Sequence, residues 1–223
     1  MKLFLSFVCT LLVFRIYSKC DDSFLSETVN EILKDIKEII PTDLAINETD
    51  FKFNRKMDLI TVSGSAKMSN IQLNGFANDL KVSGSPSIDR SNPDIKLTIV
   101  FRTGLVKITG LTEINLAGTK STVMTSGQVD NIAISLTIAY DVDADEEELS
   151  ISDCTVIEVD GLKFETSKTT SNTIKTIISE DTIESFTLML KKSVESTIRS
   201  TSSQCINKWD NLRALLAEVY YIL

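Results

Sequence analysis

The stretch DNIAISLTIAYDV, Asp130–Val142, alternates without a break. Ile132, Ile134, Leu136, Ile138, Tyr140 and Val142 share one parity; Asn131, Ala133, Ser135, Thr137, Ala139 and Asp141 share the other. A period of two puts each set on its own face of a β-strand, so one face seeks burial and the other tolerates water. At about 3.4 Å per residue this strand would run roughly 40 Å, beyond the usual strand length. An apolar face of that reach needs an equally long cover. Downstream, Ile174, Ile178, Phe186, Leu190, Val194 and Ile198 form an i+4 row interrupted only by Thr182. At about 1.5 Å per residue the row makes roughly 36 Å of helix. The matched lengths predict an α+β fold in which a long antiparallel sheet wraps along a long C-terminal helix.

Upstream, Val29, Ile32, Leu33, Ile36, Ile39 and Ile40 recur at helical spacing, with Asp22 or Ser23 as N-cap and Pro41 as stop, which predicts an N-terminal amphipathic helix. From Met57 to Val159 the period becomes that of strands. Leu59–Val62, Met68–Leu73, Leu80–Val82, Ile95–Phe101, Val106–Ile108 and Ile114–Leu116 are punctuated by Ser63-Gly64-Ser65, Asn74-Gly75, Ser83-Gly84-Ser85-Pro86 and Thr103-Gly104. Such turns, with no helical pattern between them, predict an antiparallel meander. Leu149–Ile151 and Val156–Val159 form a last long strand, turned by Asp160-Gly161 toward Leu162 and Phe164. Trp209, Leu212, Leu215, Leu216, Val219 and Tyr220 continue helical spacing to the C-terminus, and the weak helix formers of Arg199–Gln204 predict a break before them.

The chain has 223 residues and no histidine. That removes the Ser–His and Cys–His nucleophile pairs, the imidazole base and the commonest zinc ligand together. Ser, Asp, Glu and Lys show no catalytic spacing and the glycines no phosphate-loop pattern, so no catalytic residue, metal or cofactor is assigned; a hydrolase using Ser–Lys chemistry ranks last among the readings. Asp141–Glu148 has alternating acidic residues, yet an EF-hand loop needs Gly at its sixth place and Glu at its twelfth, where this chain has Glu146 and Ser152. It reads as a solvated hairpin tip.

Residues 1–20 read as a secretory leader. Lys2 is its positive end, Leu3–Phe14 its apolar run, and Ser18-Lys19-Cys20 allows cleavage after Cys20 or, nearly as well, after Ser18. Residues 21–223 are then one secreted domain. Loss of Lys2, Arg15 and Lys19 turns 23 basic against 31 acidic side chains into 20 against 31, net −11. Such a balance disfavours nucleic acid and anionic lipid surfaces, and Trp209–Leu223 lacks the basic face that membrane docking uses. Cleavage after Cys20 leaves Cys154 and Cys205 as an even pair in an oxidising compartment, which predicts a disulfide closing a loop of about fifty residues and contributing roughly 4 kcal/mol, whereas a cut after Ser18 would leave Cys20 as an odd free thiol. Asn47-Glu48-Thr49 is an N-glycosylation sequon. No feature fixes an oligomeric state.

The run Ser63–Phe76, SGSAKMSNIQLNGF, followed by Leu80-Lys81-Val82-Ser83-Gly84, resembles the mite group 7 allergens, as does the acidic hairpin between Ile132–Val142 and Leu149–Val159. Those allergens group with the Takeout, juvenile-hormone-binding and bactericidal/permeability-increasing proteins. The resemblance implies a curved antiparallel sheet wrapped around a long C-terminal helix and enclosing a tubular lipid site. A strand-to-helix link between Cys154 and Cys205 would match the disulfide of the bactericidal/permeability-increasing group. The paired N-terminal cysteines of the hormone-binding relatives have no counterpart, and the acidic balance departs from the cationic endotoxin binders.

Two readings of the apolar stripes follow. Either they pack on one another as solid core, or Ile36, Ile134, Leu136, Ile138, Phe164, Phe186, Leu190 and Val194 line a gap that a lipid tail fills. The first suits an extracellular interaction or pattern-recognition module. The second, which the resemblance favours, suits a non-enzymatic carrier of a hydrophobic small molecule or lipid.

Overall fold

A computed structural model describes residues 23–57, 60–90, 94–141, 148–166, 172–178 and 182–221. The leader and most of the acidic hairpin tip lie outside the described residues. Helix α1 occupies residues 23–39 and buries Val29, Ile32 and Ile36, and Ile40 just past its end continues the same stripe at i+3 and i+4 spacing. Ile40 N–H still donates to Ile36 at 3.0 Å; Pro41, with no N–H, ends the ladder.

The strands are β1 (Leu44–Ile46), β2 (Thr49–Met57), β3 (Ile60–Asn74), β4 (Lys81–Val82), β5 (Ser87–Asp89), β6 (Ile95–Arg102), β7 (Val106–Leu116), β8 (Thr119–Val129), β9 (Asn131–Asp141), β10 (Glu148–Asp160) and β11 (Lys163–Thr166), with a one-turn helix α2 (Phe76–Asp79) after β3. Hydrogen bonding sorts them into two antiparallel sheets. One has the order β1-β3-β7-β8-β11, with β2 also on β3, and the other the order β10-β9-β6-β4, with β5 also on β6.

The two sheets are halves of one curved surface. β6 continues into β7 through residues 103–105, β8 into β9 through Asp130, and β10 into β11 through residues 161–162. At this crease Thr103 N–H donates to Ile132 O at 3.0 Å, and Asp130 N–H to Asp160 O at 2.9 Å. Gly161 turns here with φ +66°, and a Cβ on it would meet the Asp130 side chain, so this position requires glycine on two counts. The curved antiparallel sheet with flanking N- and C-terminal helices agrees with the fold expected from the sequence.

Its strand content is richer than expected. The strand pattern expected from Met57 onward leaves out β2, and it also leaves out β8, although β8 and β9 together form one long bent strand. The inner face of β8 explains the omission, because it is lined partly by hydroxyls. Thr125 is buried and its Oγ1 lies 2.7 Å from that of buried Thr112 on β7. Thr112→Val or Thr125→Val alone leaves one hydroxyl orphaned and should cost about 1–3 kcal/mol, whereas the double variant should be nearly neutral. A double-mutant cycle by urea denaturation measures the difference.

The C-terminal part comprises α3 (Asn172–Thr176), α4 (Ile183–Cys205), a 3-10 turn (Ile206–Lys208) and α5 (Asp210–Tyr221). α4 buries Phe186, Leu190, Val194, Ile198 and Cys205. The helix does not break at Arg199–Gln204. It continues through Cys205, and the interruption falls at Ile206–Trp209. Ser203 Oγ bonds back to Arg199 O at 2.9 Å while Thr201 and Ser202 are buried, so packing overrides weak propensity. Trp209 N–H then bonds Ile206 O at 3.3 Å, and its indole Nε1 donates to Asp35 of α1 at 3.2 Å, anchoring the turn.

Candidate functional site

The interior is built from cross-strand rows. In one sheet, Val156, Ile134 and Phe101 stand opposite one another across β10, β9 and β6, followed by Cys154, Leu136 and Ile99, then Ile151, Ile138 and Leu97, then Leu149, Tyr140 and Ile95. In the other, Phe164 of β11 faces Gly127 and meets Phe186 of α4 edge to face, with ring centroids 4.9 Å apart and planes at 87°. The missing Cβ of Gly127 leaves room for the Phe164 ring.

The structure brings all eight sequence-predicted lining residues into one contiguous core: Ile36 from α1, Ile134, Leu136 and Ile138 from β9, Phe164 from β11, and Phe186, Leu190 and Val194 from α4. Leu136 and its neighbours Ile134 and Ile138 are 0% exposed. Two hollows of about 450 and 290 Å³ lie elsewhere. The larger runs over the outer face of β7, β8 and β11 between Lys107, Gln128, Lys163 and Glu165, and the smaller over α1 between Asn30, Lys34 and Glu38. Neither is lined by any of the eight. Three buried hydroxyls inside the fold, Thr28, Ser193 and Ser202, have no partner among the described residues.

The expected disulfide is not formed, since Cys154 and Cys205 are both free and buried. Cys154 Sγ approaches Glu195 O of α4 at 3.6 Å. Cys205 is ten residues farther along the same helix, about 15 Å away along its axis, and cannot reach it. Burial pushes the Cys154 thiol up to about 12, with nearby Arg199 pulling the other way. Burial, then the carboxylate of Asp35, also raises Cys205.

A thiol raised in the folded state favours folding below its unfolded pKa, and that contribution is lost as pH rises from about 9 toward 12. Cys154→Ser should therefore flatten the fall of stability with pH over this window, read by urea denaturation at successive pH values. A reducing agent at pH 7 should leave the melting temperature unchanged.

Sequence reasoning missed the charged residues that close the sheet edge. β10 is the outer strand of its sheet, and α4 lies along it. Glu195 Oε1 accepts Val156 N–H at 2.8 Å. Arg199 Nη1 donates to Ile151 O at 3.3 Å, and Nη2 lies 3.7 Å from Asp153. These side chains occupy backbone groups that another strand would otherwise seek. The available signal was an i,i+4 Glu–Arg pair on the border of the apolar stripe.

Asn47 is exposed in the two-residue step between β1 and β2. Among the described residues no group of three or more His, Cys, Asp or Glu side chains could hold a metal, and no helix is long and apolar enough to cross a membrane.

No protein-family model matches the chain, and no curated protein does. Among solved structures, the crystal structure of a lipopolysaccharide binding protein superposes with a TM-score of 0.50 at 15% sequence identity, covering 83% of this chain. The present chain accounts for 38% of that protein's length. The likeness places the curved sheet and long helix in the same fold.

Proposed function

We propose that the protein is a secreted, non-enzymatic binder of a lipid or other hydrophobic small molecule, whose apolar part lies between the curved sheet and the helices. The supporting observation is the single apolar interior that runs from Leu97, Ile99 and Phe101 across Ile134, Leu136 and Ile138 to Phe186, Leu190 and Val194. A flexible chain entering it gains about 25 cal/mol per Å² of buried apolar surface and needs little charge recognition. The fold shared with a lipopolysaccharide binding protein agrees with this reading. In it the chain is a group 7 allergen-like member of the tubular lipid-binding superfamily: the resembling run Ser63–Phe76 forms β3 and the entry to α2, with β4 following. Asn47 is its glycan acceptor.

Full burial of Leu136 and its neighbours favours a second reading, an extracellular interaction module with a solid core. Thermal unfolding with added fatty acids and phospholipids separates the two. A ligand at a hundredfold its Kd should stabilise a carrier by about 2.7 kcal/mol, whereas a solid module should not respond. In a carrier, Leu136→Trp should abolish the response while costing about 1–3 kcal/mol of stability.

A further inference from the structure

We propose that the seam between α4 and β10 is the entrance through which the hydrophobic ligand reaches the interior, with Glu195 and Arg199 as its latch; this rests on the carrier reading above. β10 is bulged twice, with register shifts between Ile151 and Asp153 and between Val156 and Glu158. Ser152 and Ile157 are the extra residues, and at the first bulge the Ser152 hydroxyl bonds Thr137 O at 3.1 Å. The bulges bracket Asp153–Val156, the segment held to the helix.

It is held by few bonds. Glu195 takes the Val156 N–H through its carboxylate and the Cys154 thiol through its main-chain carbonyl. One turn on, Arg199 takes Ile151 O and pairs with Asp153. No strand ladder runs between the two elements, so they can part without unzipping the sheet. The first side chains behind them are apolar: Cys154 and Val156 stand opposite Leu136 and Ile134, and Val194 and Ile198 flank Glu195 on the buried side of α4.

The seam also has an oily lip. Leu188 lies two turns before Glu195 on the same helical face and is 57% exposed, and Ile157, next to Val156, is 52% exposed. A hydrocarbon chain meets these aliphatics before it meets the latch.

Cys154 sits behind the latch and serves as a native reporter. Its buried thiol alkylates slowly while the seam is closed, and each opening exposes it. In a Cys205→Ser background, iodoacetamide labelling of Cys154 and stopped-flow uptake of cis-parinaric acid are measured side by side. Glu195→Ala should raise both rates by about tenfold or more, the factor carried by one charge-assisted hydrogen bond, with equilibrium affinity little changed because release quickens equally. Glu195→Gln keeps an acceptor for Val156 N–H and should restore most of the wild-type rates. Arg199→Gln provides a second weakened latch if Glu195→Ala fails to fold, as judged by circular dichroism.

Faster labelling with unchanged uptake would place the entrance elsewhere and overturn this proposal while leaving the carrier reading intact. Unchanged labelling in both folded latch variants would also overturn it. Failure of the unaltered chain to bind cis-parinaric acid or any other lipid would remove the carrier reading, and the entrance with it.

Discussion

Phe186→Ala is expected to lower the unfolding free energy by about 3–5 kcal/mol, the range for truncating a fully buried aromatic. The ring is 0% exposed and its edge-to-face contact with Phe164 joins the first turns of α4 to β11. Truncation removes the buried surface, leaves a cavity between helix and strand, and loses an aromatic pairing worth about 0.5–1.5 kcal/mol beyond its area. Urea denaturation followed through Trp209 gives the value. Phe186→Leu keeps most of the volume and should recover more than half of the loss. A loss below about 1 kcal/mol would mean that α4 is not seated on the sheet as described.

The second large effect is expected at Gly64. β3 is the central strand here, paired to β2 through Gly64 opposite Phe53 and to β7 through Gly64 opposite Leu116. A Cβ at this position would collide with the main-chain carbonyl of Asn115 and come within 2.6 Å of Phe53 Cζ. Neither can yield cheaply, because the carbonyl belongs to a ladder strand and Phe53 is buried. Gly64→Val should cost about 3 kcal/mol, the top of the usual range for overpacking, and should reduce soluble yield. Gly104 is the control: it lies between β6 and β7 with nothing within 4 Å of its Cβ position, so Gly104→Ala should be neutral within about 0.5 kcal/mol.

The elements legible in the sequence were those whose burial is one-sided and aliphatic. β9 reads at once because Ile132, Ile134, Leu136 and Ile138 repeat every second residue; α1 and α4 read from their i+3 and i+4 stripes. β8 was illegible because its inward face includes buried Thr125 and half-buried Gly127, which carry no hydropathy signal. β2 does carry one, with Phe51 and Phe53 buried between Asp50, Lys52 and Asn54, but two alternating apolar residues among charged ones are too short a period to mark a strand. Cysteine counting failed for a different reason. An even number of thiols says nothing about reach, and the packing of Cys154 on Glu195 places it far along α4 from Cys205.

Of the site, composition and period identified the interior residues, while the groups that gate it escaped. Glu195 and Arg199 look like an ordinary solvated helix pair. Their role depends on β10 being an edge strand and on its two bulges, and both follow from pairing partners distant in sequence.

Native mass spectrometry of the protein purified from the cells that produce it tests the central claim most directly. The carrier account predicts a population heavier than the polypeptide by a constant non-glycan mass, which organic extraction removes and Leu136→Trp abolishes. A single species at the polypeptide mass, unchanged by incubation with fatty acids or phospholipids, would contradict it.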